Sequence, residues 1–178
     1  KTLSGKATLT LKPHFYEQNQ LVLDAKWMQI AAVALKTNET YKTLKFTYDN
    51  LLLKIDLDKY YSKNDQIEIE IDYVALPYQQ DSLQVEDGRG LYFIDTEDKN
   101  PYKPMHLWSQ GESESASCWF PTLDATNQKS TQEIFVTIDT AMVSLSNGLL
   151  IDSKPNGDGT KTDHWKQDKP HSPYLFFL

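Results

Sequence analysis

The chain has 178 residues, 39% of them hydrophobic and 24% charged, with 25 acidic side chains against 18 basic ones for a net charge of −7. That composition is globular and too apolar for disorder, and the length suits one large domain able to bury about 70% of its unfolded surface. The acidic balance and a single arginine, Arg89, exclude a direct nucleic-acid surface, and no apolar run approaches the ~18 residues of a membrane span.

The opening "KTLSGKATLTLKP" has no apolar signal-peptide core, which leaves cytoplasmic and exported locations both open. Its second half alternates with period two, placing Ala7, Leu9 and Leu11 on one face of a strand. "QLVLDAKWMQIAAVAL" predicts a strand, a break over Asp24 to Lys26, and a second, more continuous apolar run. "TLKFTYDNLLLKIDL" reads as a hairpin turning at Asp49-Asn50, with Phe46, Tyr48, Leu51, Leu53 and Ile55 offered to a core. "QIEIEIDYVAL" sets Ile67, Ile69 and Ile71 against Glu68, Glu70 and Asp72, and stops at Pro77, which cannot donate to a ladder.

"GRGLYFID" predicts a short strand behind a glycine turn, and "QEIFVTID" another with Ile134, Val136 and Ile138 aligned. "MVSLSNGLLIDS" places Asn147-Gly148 between two runs as a hairpin signal, and "KPNGDGTK" turns the chain once more. The terminal "YLFFL" looks like the opening of a strand. About a dozen strands and no sustained 3.6-residue repeat predict an all-β fold, a sandwich or curved sheet, with at most a short helical turn after Gly111.

Taken singly, the reactive side chains point to no catalytic machine. His14, His106, His164 and His171 are scattered without the i, i+4 spacing of a zinc helix. Cys118, the one cysteine, has no histidine nearby in sequence and reads as a buried structural thiol. "DSKPNGDG" lacks the alternating ligands and closing glutamate of a calcium loop and reads as a turn. Neither a phosphate-binding glycine loop nor a nucleophile elbow is present.

The stretch "WSQGESESASCWFPTLDATNQKST" is different, because Gln110, Gly111, Glu112, Ala116, Trp119, Phe120, Pro121, Asp124 and Lys129 stand together in a set order. It resembles a motif of the aminopeptidase N family of zinc metallopeptidases. "YVALPYQQDSLQVEDGRGLYF", "VSLSNGLLI" and "HWKQDKPHSPYLFFL" resemble further passages of that family in the same order. Ser109, Ser113, Thr122 and Ala125-Thr126 depart from the usual residues, without removing the carboxylate or the amide that the family uses.

The resemblance implies that residues 1–178 form the amino-terminal, saddle-shaped β domain of a zinc aminopeptidase. That domain packs against a thermolysin-like catalytic domain holding one zinc ion. The family's His-Glu-x-x-His and Gly-x-Met-Glu-Asn motifs do not occur in these residues, so no cofactor is expected in the chain itself. The matching glutamate, Glu112, is expected to accept the α-ammonium of a peptide substrate, and Gln110 to line the pocket for its first side chain. Gly111 would let the backbone pass close to the ligand. Trp119, Phe120 and Pro121 would anchor the loop, and Asp124 would hold it through backbone hydrogen bonds. The expected partners are the chain's own catalytic domain and a peptide amino terminus. Two other readings stand beside this one. The first is a non-catalytic relative serving as a protein scaffold. The second is a free-standing carbohydrate- or protein-binding sandwich using Trp27, Trp108, Trp119 or Trp165 as a platform.

Overall fold

The structure is a computed structural model that describes residues 1–77 and 90–178. The middle of the passage "YVALPYQQDSLQVEDGRGLYF", from Tyr78 to Arg89, lies outside the described residues. The strands are β1 (Leu3–Leu11), β2 (Gln18–Asp24), β3 (Met28–Thr37), β4 (Thr40–Thr43), β5 (Phe46–Tyr48) and β6 (Leu52–Tyr61). They continue with β7 (Ile67–Ala75), β8 (Leu91–Ile94), β9 (His106–Ser109), β10 (Ser130–Asp139), β11 (Leu149–Pro155) and β12 (Thr160–His171). The helical turn expected after Gly111 is a 3-10 turn at Ala116–Cys118, and a second one follows at Pro173–Leu175.

Two antiparallel sheets, ordered β1-β7-β3-β4 and β2-β6-β5, face each other across the larger core. The period-two pattern decides which residues enter it. Ile67, Ile69 and Ile71 of β7 are buried with Tyr73 and Ala75, opposite Leu23 of β2 and Leu53 and Ile55 of β6. The acids between the isoleucines face outward, where Glu70 meets Lys6 of β1 (2.7 Å) and Glu68 meets Lys36 of β3 (2.5 Å). The Asp49-Asn50 hairpin forms as the sequence predicts, closed by the Asp49 carboxylate accepting the N–H groups of Leu51 and Leu52. Leu51 is a correction: it sits in that turn and is 45% exposed, because the register gives the core positions to Leu53 and Ile55.

Among the described residues there are also a third sheet, ordered β10-β12-β11, and the β8-β9 hairpin. Asn147-Gly148 is a second correction. β11 pairs with β12 and not with the run before it, and Met142 to Ser146 form no strand. β12 is already flanked by β10 and β11, so that run has no ladder to join. Gly148 has φ +88, and a β-carbon there would stand 1.9 Å from the Lys166 carbonyl oxygen. Asn147 turns to the end of the chain, donating to Leu175 O and accepting the Phe177 N–H. The true hairpin joins β11 to β12 through "NGDG", where Asp158 accepts from the Thr160 N–H and hydroxyl. The "YLFFL" end is the 3-10 turn followed by a short extended pairing, in which Ser109 N–H donates to Leu178 O and Leu178 N–H to Ser109 Oγ.

Candidate functional site

The segment from Gln110 to Thr126 leaves β9 and crosses to the edge of β2. It has few apolar alternations, so its shape comes from individual hydrogen bonds. Gln110 N–H donates to Gly90 O (2.9 Å), and Ser115 N–H reaches back to Gly111 O (2.8 Å) to close a turn. Gly111 is buried against the backbone of Tyr174. The loop's far end is bolted to β2, with Asp24 and Thr122 exchanging backbone bonds at 2.8 and 3.0 Å. Asp24 also accepts the Asp124 N–H through its carboxylate (2.9 Å).

Between these ends the turn is held from inside. Asp124, 5% exposed, accepts the backbone N–H of Ser117 at 2.8 Å. Burial raises its carboxyl above the usual carboxylate range, opposed by the Ser117 bonds and by the nearby Lys26 ammonium. Lys26 donates its backbone N–H to Ser117 O (2.8 Å) and its Nζ to Glu114 O (2.7 Å). Ser172 Oγ, from the C-terminal segment, donates to Thr126 O (2.5 Å).

Of the expected anchors, Trp119 and Phe120 belong to the smaller core. Trp119 packs edge-on against Phe120 (4.5 Å between ring centres), and Phe120 stacks on Phe176 at 5.4 Å. With Leu91 these form the smaller core. The Trp119 indole N–H is buried without an acceptor among the described residues, so this side chain acts through packing. Pro121 is fully buried.

The loop borders a cleft of about 250 Å³ lined by Glu112, Ser113, Glu114, Asp124, Ala125, Thr126 and Tyr174. Glu112 is exposed there, and its carboxylate has no partner among the described residues. Glu112 and Asp124 are thus brought together, one open to a ligand and the other committed to the loop. Gln110 is exposed and is not among the described residues lining the cleft. Gly111 meets the chain's own Tyr174 backbone at the foot of the loop. Lys26 and Tyr174 are the residues that sequence reasoning missed. They lie 86 and 62 positions away from Glu112, and only the fold brings them to the site. Among the described residues no group of three or more His, Cys, Asp or Glu could hold a metal ion. The described residues therefore do not fit the family's zinc.

Comparison with known proteins follows the same outline. An 18% identical M1 zinc metallopeptidase from Deinococcus radiodurans superposes with a TM-score of 0.78, covering 99% of this chain and 37% of that one. The Legionella pneumophila aminopeptidase A, solved in complex with aspartic acid, is 24% identical with a TM-score of 0.77, over 98% of this chain and 19% of that one. Among curated sequences, chicken transcription initiation factor TFIID subunit 2 is 33% identical over 79 residues, 43% of this chain and 7% of that protein. The chain thus spans well under half the length of each relative. The family described as Peptidase M1 N-terminal domain matches residues 1–175. On that match, which takes in the larger core and the whole Gln110–Thr126 loop, the chain belongs to the Peptidase M1 N-terminal domain family.

Proposed function

We propose that this chain is the amino-terminal domain of a zinc metallo-aminopeptidase, and that its Glu112 receives the α-ammonium of a peptide substrate. The observation that carries the reading is the exposed Glu112 carboxylate, unpartnered among the described residues, on a cleft where Asp124 is buried and tied to Ser117. An aminopeptidase must recognise the one feature that marks a chain's first residue, a positive amine. An exposed ammonium–carboxylate pair contributes only about 0.2–1 kcal/mol, whereas stranding one member of a desolvated pair costs roughly 3–5 kcal/mol. Covering this cleft with a second domain would move the pair from the first regime to the second. Gln110 then lines the pocket for the first side chain, Gly111 sets the loop's approach, and Trp119, Phe120, Pro121 and Asp124 keep Glu112 in place.

The catalytic zinc and its ligands belong to a thermolysin-like domain beyond these residues, where the metal would activate the attacking water. Exposed apolar side chains along β11 and the coil before it, including Val143, Leu145, Leu149 and Ile151, support a partner domain of this kind. The chain alone is inert: zinc plus an aminoacyl anilide gives no turnover, and stoichiometric activity would overturn the assignment. In the full-length protein, Glu112→Ala lowers kcat/KM for free-amine substrates by about 100-fold or more, the range of a lost desolvated pair. An unchanged value removes Glu112 from the site.

A second reading, an assembly scaffold without peptidase activity, is favoured by the resemblance to a protein named as a transcription initiation factor subunit. Absence of aminopeptidase turnover in the full-length, zinc-loaded protein would select it.

A further inference from the structure

We infer that Lys26 is the positioning residue for the Glu112 turn, an inference that rests on the α-amine reading of Glu112. Lys26 grips the loop twice, through its backbone N–H to Ser117 O (2.8 Å) and its ammonium to Glu114 O (2.7 Å). Those two carbonyls bracket the turn just after Glu112. Glu114 has φ +58, a left-handed conformation that a side chain other than glycine's adopts only when its surroundings hold it. A charged donor on its carbonyl is such a hold.

The grip is transmitted from a rigid base. Ala25 is fully buried, donates its N–H to Leu51 O and accepts the Tyr48 hydroxyl at 2.7 Å. Trp27 donates to Asn50 O and accepts from the Leu76 N–H. Lys26 therefore projects from a fixed corner between β2 and β3, and its side chain spans from the larger core to the rim of the cleft. The position also reconciles a cation with a cation-binding site. The Lys26 charge is spent on a carbonyl and lies near the Asp124 carboxylate, so the exposed Glu112 carboxylate stays available to a substrate amine.

The test is equilibrium binding of L-leucine amide to the full-length protein by calorimetry, with N-acetyl-L-leucine amide as the control ligand lacking a charged amine. Wild type is compared with Glu112→Gln, Lys26→Met and Lys26→Arg. Every Lys26 variant keeps its backbone bond to Ser117, so the substitutions probe the side chain alone; Lys26→Gln replaces Lys26→Met if the latter does not fold. The expected result is that Lys26→Met weakens amine binding by about tenfold, a loss of one charge-assisted hold on the Glu112 turn. The N-acetyl control is unchanged, and Lys26→Arg restores binding. If Glu112→Gln weakens binding while Lys26→Met binds as wild type, or weakens both ligands equally, or is not rescued by arginine, the Lys26 inference alone is overturned. If Glu112→Gln has no effect, the α-amine reading falls and Lys26 falls with it.

Discussion

A β-carbon added at Gly111 would stand 2.4 Å from the carbonyl oxygen of Tyr174 and 2.7 Å from its Cα. Both obstacles are backbone, so neither can rotate away, and the loop or the C-terminal turn must shift. Gly111→Ala is expected to destabilise the domain by about 1–3 kcal/mol, the usual cost of overpacking, read as a drop in Tm. In the full-length protein it should also lower kcat/KM, because the displaced strand of loop carries Glu112. A Tm unchanged from wild type would show that the 173–175 turn yields without cost. The sequence offers Gly111 as the place where the backbone passes a ligand, whereas the close neighbour in the fold is the chain's own Tyr174. What it cannot show is the identity of the neighbour, since Tyr174 lies 63 residues on and no local pattern links the two. The place of Glu112 on the cleft rim beside Asp124 is local by comparison, since the stretch from Gln110 to Asp124 is contiguous in sequence.

At the scale of elements, a buried carboxylate helps hold the β10-β12-β11 sheet to the coil beside it. Asp163 of β12 is 3% exposed and accepts from the hydroxyls of Ser144 (2.6 Å) and Ser153 (2.5 Å), with Lys161 at 3.7 Å. Ser144 in turn accepts the Trp165 indole N–H at 2.9 Å. These bonds, the one from Ser144 foremost, hold the Asp163 carboxyl below its usual range. A carboxyl depressed in the folded state stabilises it above the unfolded pKa, and that contribution disappears as pH falls through the folded value. Asp163→Asn should therefore cost about 1.5–3 kcal/mol at pH 7, with the Tm gap to wild type narrowing as the pH is lowered below about 4. A gap independent of pH would mean that shape, not charge, holds Ser144 and Ser153. The strands here were readable where alternation is strong, as in Ile134, Val136 and Ile138. β4 and β9 were not, because β4 is exposed at all four positions and β9, "HLWS", has no fully buried position and only two apolar residues. Asn147-Gly148 misled for a related reason: the dipeptide favours a tight turn, but the hydrogen bonds of Asn147 go to Leu175 and Phe177, which no local rule could reveal.

The whole molecule is organised around two cores that share residues. Leu3 and Phe120 pack against both the larger cluster, built on Ile69, Ile71, Leu53 and Ile55, and the smaller one of Leu91, Trp119 and Phe176. The Asp24–Thr122 bridge adds a backbone link between β2 and the loop that carries Trp119. Because the loop spans both clusters, it cannot be released from one while native on the other. The domain should accordingly unfold in a single transition, with far-UV circular dichroism and tryptophan fluorescence superimposable in denaturant. Phe176→Ala supplies the sharper test. Phe176 is 8% exposed, stacked on Phe120 and tilted on His171 at 4.5 Å, so its truncation should cost about 3–5 kcal/mol. Coupled cores would carry that loss to the sheets, shifting the circular-dichroism midpoint as far as the fluorescence midpoint. A fluorescence transition moving alone would show that the smaller core melts separately. The Glu112 loop would then be a locally unstable part of the domain, ordered only when a second domain covers it.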